Sequence, residues 1–178
     1  MAQLSQSRIA DCFARGDNAS TTKEKGDALE DLIVYLFAQI PGMTALFRNR
    51  RNPFGTEEID IAFWNDREPD GLYFLPDTIL VECKNWSHPV DYDTLTGFDA
   101  KLRGRAQSVG ILVAAGGITG NPAFSTDAYS VVTNALAQQR RLIVMTRAEI
   151  EAVADTADIV LLFKTRLCQL AASGTIFP

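Results

Sequence analysis

From Ser108 to Ala114 the chain carries Val109, Ile111, Leu112 and Val113, and after Ser108 no polar side chain. A strand points successive side chains to opposite faces. A run that is apolar at both parities therefore needs cover on both sides of its sheet. That is the pattern of a buried parallel strand. It constrains the whole chain, because helices must then lie above and below the sheet that holds this segment.

The remaining segments supply those helices. Ile9, Cys12 and Phe13 fall at i, i+3 and i+4 and predict a short helix over 4–15, followed by a loop over Gly16-Asp17-Asn18-Ala19-Ser20. Leu29, Leu32, Ile33, Leu36, Phe37 and Ile40 keep the helical period, with Thr21 or Thr22 as cap and Pro41-Gly42 as stop. Glu30 sits at the border of that stripe, about 100° around the helix from Leu29. Residues 43–51 and 56–64 read as antiparallel strands joined by the turn Asn52-Pro53-Phe54-Gly55. A polar loop and a third strand ending at Lys84 follow, then a helix over 91–104 and the 108–114 strand. A helix over 125–139 buries Ala128, Val131, Val132, Ala135 and Leu136, with Ser125 or Thr126 as cap, and Leu142 to Met145 forms a last strand. Thr146 and Glu149 have capping-box spacing for another helix. Residues 156–171 read as a helix, although Ile159-Val160-Leu161-Leu162-Phe163 reads equally well as a strand. This order predicts an α/β fold, a three-layer α/β/α sandwich on a mixed sheet. The chain is expected to be one domain over 1–178, with its core at about 22–155 and the helices 4–15 and 156–171 as additions.

Two strand-like runs carry charge. Glu57-Glu58-Ile59-Asp60-Ile61-Ala62-Phe63 holds Asp60, and Thr78-Ile79-Leu80-Val81-Glu82-Cys83-Lys84 holds Glu82 and Lys84. Glu82 and Lys84 share a face roughly 6.6 Å apart, with Cys83 turned the other way. Carboxylates and a lysine on apolar strands are costly to bury unless they pair with one another or bind a metal.

Composition narrows the chemistry further. No apolar stretch reaches the ~18 residues of a membrane span. The start, Met1-Ala2-Gln3-Leu4-Ser5, lacks the regions of a signal peptide, so a cytoplasmic protein is expected. Cys12, Cys83 and Cys168 are scattered and odd in number, and are expected to be three buried thiols. His88 is the single histidine, which leaves no histidine cluster for a metal and disfavours a Ser-His-Asp triad. Carboxylates and lysine must carry any reaction. Seventeen basic against 22 acidic residues, a net −5, argues against a broadly basic nucleic-acid face. Locally, however, Arg48, Arg50 and Arg51 cluster before the Asp60 strand, and Lys101, Arg103 and Arg105 follow the Glu82 strand. These clusters are either a phosphate-binding rim or ordinary solvated charge.

Asp60, then Glu82-Cys83-Lys84 at the end of the next strand, resembles the PD-(D/E)xK (restriction-endonuclease-like) nuclease superfamily. The chain is most similar to its Mrr-like branch. The resemblance also rests on the helix Gly26-Asp27-Ala28-Leu29-Glu30, and on Gly110-Ile111-Leu112-Val113 followed by a glycine-containing turn and an Ala-rich helix. It covers roughly residues 22–155, and Ile59 stands where the family nominally has Pro. It implies a restriction-endonuclease-like core and a metal-dependent endonuclease that hydrolyses DNA phosphodiester bonds in restriction or phage defence. Mg²⁺, with Mn²⁺ as substitute, would be held by Asp60, Glu82 and the carbonyl of Cys83. Lys84 would orient or deprotonate the attacking water, and Glu30 would act from the helix. Glu58 shares a face with Asp60 and is either a substitute ligand or a solvated strand-edge charge. Trp86 is either a platform for a base or a packed aromatic, and Lys101 and Arg103 either meet the phosphate backbone or are plain surface charge. One site per chain implies a homodimer, or a partner domain or subunit, for cutting both strands of DNA, and no membrane. A non-cutting nucleic-acid-binding or scaffold domain, and an RNA or nucleotide phosphodiesterase using the same residues, stay open at this point.

Overall fold

In the computed structural model, which describes residues 2–53 and 55–177, the apolar 109–114 run is the fourth of five strands. The strands are β1 (Met43–Arg51), β2 (Glu58–Asn65), β3 (Thr78–Lys84), β4 (Val109–Ala114) and β5 (Arg141–Met145). They lie side by side in chain order, β1-β2-β3 antiparallel and β3-β4-β5 parallel. Every residue of β4 is buried, because both faces of the sheet are covered. Phe54, in the turn between β1 and β2, lies outside the described residues.

Among the described residues six α-helices make the outer layers: α1 (Gln6–Asp17), α2 (Thr22–Ala38), α3 (Tyr92–Gly104), α4 (Ala128–Ala137), α5 (Arg147–Ala152) and α6 (Thr156–Ser173). Phe13 of α1, Leu32 and Phe37 of α2, Ile150 of α5 and Phe163 of α6 pack on Ile61, Val81, Ile111 and Ile143. On the opposite face, Leu95, Phe98 and Leu102 of α3 and Val132 of α4 pack on Leu80, Leu112 and Val144. The result is an α/β fold with helices on both faces of a mixed sheet. Among the described residues no helix is long and apolar enough to cross a membrane.

Local chemistry sets the helix ends. Thr21, rather than Thr22, caps α2 in a full capping box with Glu24, and such a cap contributes about 1 kcal/mol. Thr146 and Glu149 form the capping box expected for α5. The expected start of the fourth helix at 125 is corrected to Ala128. Asn121 and Pro122 capture the chain first in a 3₁₀ turn (Pro122–Phe124), and Ser125 closes that turn in the left-handed region at φ 47°. Residues 159–163 are helical, not a strand. Asp155 and Asp158 form a capping box before them, and Ile159 and Phe163 point inward four residues apart while Leu161 is 63% exposed. The first helix begins and ends two residues later than expected, at Gln6 and Asp17, and the last runs on to Ser173. Of the three cysteines expected to be buried only Cys83 is; Cys12 is half-buried, and Cys168 is exposed on the outer side of α6.

One packing detail bears on the site. Gly110 of β4 faces α3, and a Cβ there would overlap a Leu102 methyl and the Phe98 ring. The missing side chain lets α3 sit close over β3 and β4. That closeness brings the α3 residue Lys101 within reach of Glu82.

Candidate active site

The β2–β3 ladder runs from Trp64–Thr78 to Ile61–Val81 and ends there. Continued one step, the register would set Asp60 opposite Glu82; a second step would set Ile59 opposite Cys83. The ladder instead gives way to a side chain. The Cys83 N–H donates to Asp60 Oδ2 at 2.7 Å, so a carboxylate stands where strand backbone would. The Lys84 carbonyl accepts from the Ala115 N–H at 3.0 Å, on the side away from β2. Alternation along the strand therefore turns the Cys83 N–H and C=O toward the gap beside Asp60.

Glu82 lies on the α3 side of β3 and is 5% exposed. Lys84 Nζ donates to its Oε1 at 2.9 Å, and Lys101 Nζ donates to both of its oxygens at 2.8 Å. Without those two ammonium groups the buried carboxylate would be strongly disfavoured. Glu30 of α2 is 7% exposed and accepts from Arg48 Nη2 at 3.1 Å and Asn49 Nδ2 at 3.2 Å. Asn49 reaches it from a left-handed backbone, φ 49°, that asparagine tolerates better than most residues.

A cleft of about 660 Å³ opens between α2 and the parting strands, walled by Glu30, Asn49, Asp60, Cys83, Lys84 and Trp86 among others. Glu82 is not part of that wall; Lys84 and Lys101 cover it. Trp86 is half-buried, its ring 5.0 Å from that of His88, and Lys84 Nζ lies 5.8 Å from its centroid. A second, more apolar hollow of about 400 Å³ borders Phe47, Arg50, Ile59, Leu80 and Arg105. Its one acid, Glu57, is tied to Arg105 at 2.7 Å, so it offers no carboxylate set for a cation.

The electrostatics follow from this burial. Desolvation, then the nearby Glu82 charge, pushes the Asp60 carboxyl up to about 6, against the pull of the Cys83 N–H and Lys84. Burial by itself would lower the Lys84 pKa, but the Glu82 charge and hydrogen bond outweigh it and raise it above the ordinary lysine value. Lys84 is thus held as an ammonium. Burial drives the Cys83 thiol well up, which leaves only its backbone as a useful donor set. Among the described residues no three His, Cys, Asp or Glu side chains converge as a ready-made cage. Asp60 and the Cys83 carbonyl nevertheless share one gap, with Glu82 behind Lys84 on the next strand, and oxygen donors of this kind suit a hard cation such as Mg²⁺, which keeps much of its own water.

The predicted basic residues are distributed unevenly. Arg48 bends back to Glu30 and Asp31, Arg51 pairs with Glu58 at 2.8 Å, and Arg50 lies over the Phe47 ring. Arg103 is exposed and makes no ion pair among the described residues. Lys101 departs most from a surface role: its ammonium turns inward because Glu82 would otherwise lack a second counter-charge. Asn49 and Asn85 are absent from the sequence reading. Asn85 is 5% exposed and donates to the Lys25 carbonyl at 2.9 Å, which ties the end of β3 to α2. Asn49 left one trace, a polar residue between two arginines in an otherwise strand-like run. Asn85 left none.

A family model for the restriction endonuclease domain Mrr_cat matches residues 21–170. The match begins at the Thr21 cap, covers all five strands and runs through most of α6, past the residue 155 expected for the core. Comparison with curated proteins gave no match.

Proposed function

This chain belongs to the Mrr_cat family of restriction endonucleases, and from that membership we propose that it hydrolyses DNA phosphodiester bonds at the Asp60–Glu82–Lys84 cluster with the help of a divalent cation. The observation that carries the reading is the parting of β2 and β3, with Asp60 bonded to the Cys83 N–H and Glu82 beside it on the next strand. The Cys83 carbonyl turns into that gap beside Asp60, next to a lysine held in its charged form and paired with Glu82.

Asp60, Glu82 and the Cys83 carbonyl would hold the cation, Mg²⁺ or in its place Mn²⁺. Such an ion supplies Lewis acidity toward the phosphate and an activated water. Because Lys84 is held protonated, its part is to orient the water and to stabilise charge on the phosphate, rather than to take up a proton. Glu30, on the α2 wall of the cleft, would act from the helix through metal-bound water or at a second metal position. Trp86, at the cleft mouth, offers a ring face to a base. Arg50 and Arg103, without ion pairs among the described residues, would meet the phosphate backbone. Family membership also supports a role in restriction or phage defence, in the cytoplasm, where the DNA is.

Purified protein incubated with supercoiled plasmid and with labelled RNA, in Mg²⁺, Mn²⁺ or EDTA, tests this reading. Cleavage of DNA with either cation and none in EDTA, lost in Glu82→Gln, is the expected outcome. Cleavage undiminished in EDTA or in Glu82→Gln would remove the cluster from the reaction, and cleavage of RNA alone would change the substrate.

A further inference from the structure

Lys101 approaches Glu82 from a separate element, nineteen residues along the chain and on the helix packed over the strand. It donates to both carboxylate oxygens at 2.8 Å, while Lys84 takes only Oε1. Its side chain is 19% exposed and that of Glu82 is 6% exposed, so the contact is largely shielded from water. Shielding makes the pair strong, and it also makes the two lysines and any added cation strongly repel one another. Glu82 already has its charge answered by two ammonium groups, and it lies behind them, off the cleft wall. A divalent ion that takes Glu82 as ligand must use an oxygen on which Lys101 now sits.

We propose that Lys101 and the divalent cation compete for Glu82, so that Lys101 sets the metal affinity of the site and acts as a positioning residue that uncovers Glu82 only when the cation arrives. This rests on the reading of Asp60 and Glu82 as metal ligands. Lys101 is a counter-ion held in place by α3, and its ammonium, once displaced from Glu82, is free to pair with a substrate phosphate. Lys84 differs in kind, since it shares its strand with Glu82 and reaches a single oxygen that leaves the other available.

Mn²⁺ binding to the protein without DNA, followed by calorimetry or electron paramagnetic resonance, separates the possibilities. Lys101→Met removes the charge and keeps the stem; Lys101→Gln does the same with a polar head and serves if the Met variant fails to fold. Either is expected to bind Mn²⁺ about tenfold more tightly than the unaltered protein, the effect of deleting one partly buried competing ion pair. Both should also show a larger rise in melting temperature on adding Mn²⁺. Affinity equal to or weaker than that of the unaltered protein, in a variant that still melts cooperatively, overturns the proposal. Glu82→Gln keeps the two readings apart. If the unaltered protein binds Mn²⁺ and Glu82→Gln does not, the ligand assignment stands and the lysine variants judge Lys101 alone. If Glu82→Gln binds as the unaltered protein does, the ligand assignment falls and the competition falls with it.

Discussion

Asp60 Oδ2 accepts the Cys83 N–H at 2.7 Å, at the point where β2 and β3 cease to pair. One carboxylate oxygen thus satisfies a strand amide that has lost its ladder partner, while the other oxygen remains for the cleft. The structural task needs only an acceptor, whereas the chemical task needs a charge.

Asp60→Asn is therefore expected to keep the fold and lose the reaction, because an amide oxygen still accepts from Cys83 but binds a cation poorly. Asp60→Ala should lose both. The orphaned N–H then costs about 1–3 kcal/mol of stability. Urea unfolding beside a plasmid-cleavage assay checks this, and equal stability for the two variants would show that the Cys83 bond contributes nothing.

Lys84→Met removes the ammonium from the cleft wall and leaves Asp60 and Glu82 in place. Turnover should fall by roughly 100- to 1000-fold, the usual consequence of losing one charge-stabilising donor. Mn²⁺ binding by calorimetry should persist. Loss of binding together with turnover would mean that Lys84 shapes the ligand set rather than the reaction.

The pH dependence follows from Asp60, pushed up to about 6 by burial and by Glu82. Its folded-state value lies above the ordinary carboxylate range, so the folded protein holds this proton more tightly than the unfolded chain does. The ionised group accordingly weakens the fold above about 6, and that penalty is relieved as pH falls through 6 toward 4. A cation must displace the same proton, so its apparent affinity should decline below pH 6, by up to about tenfold per unit. Mn²⁺ titrations from pH 5 to 8 read this directly, and a flat profile would contradict it.

Gly110→Ala introduces a methyl group against Leu102 and Phe98 in a fully covered strand. Overpacking of this kind costs typically about 1–3 kcal/mol. Because the displaced element is α3, the variant should also loosen Lys101 from Glu82. Denaturant midpoints measure the first effect, and unchanged stability would show that α3 yields without cost.

Among the described residues there is one such cluster, and a double-strand break needs one for each strand. A homodimer is expected, since twofold symmetry is the commonest way to pair two sites. Light scattering alone and with duplex DNA gives the mass. A monomer in both conditions, with nicked plasmid as the sole product, would exclude the dimer.

Much of the fold was legible because its signals are local. The two-residue period put Glu82 and Lys84 on one face of β3 and Cys83 on the other, where the thiol is indeed packed among the α2-side core residues. The helical stripe of Leu29, Leu32, Ile33 and Leu36 predicted the buried face of α2, and the Thr146–Glu149 spacing predicted a cap. Where two local signals compete, the sequence supports both. Ile159 to Phe163 suits strand and helix alike by propensity, and the capping box at Asp155, together with burial every fourth residue, decides for helix.

Which residues alternate, which recur every turn and which acids and lysines ride on apolar strands is written along the chain, since covalent geometry enforces those periods within a few residues. It took the packed fold to close Asp60 on the Cys83 amide 23 residues away, and to turn Lys101 inward to Glu82 instead of outward to solvent. Those pairings depend on where two strands part and how closely a glycine lets a helix approach. A buried charge takes whichever partner the packing brings within reach, and no spacing along the chain encodes that distance.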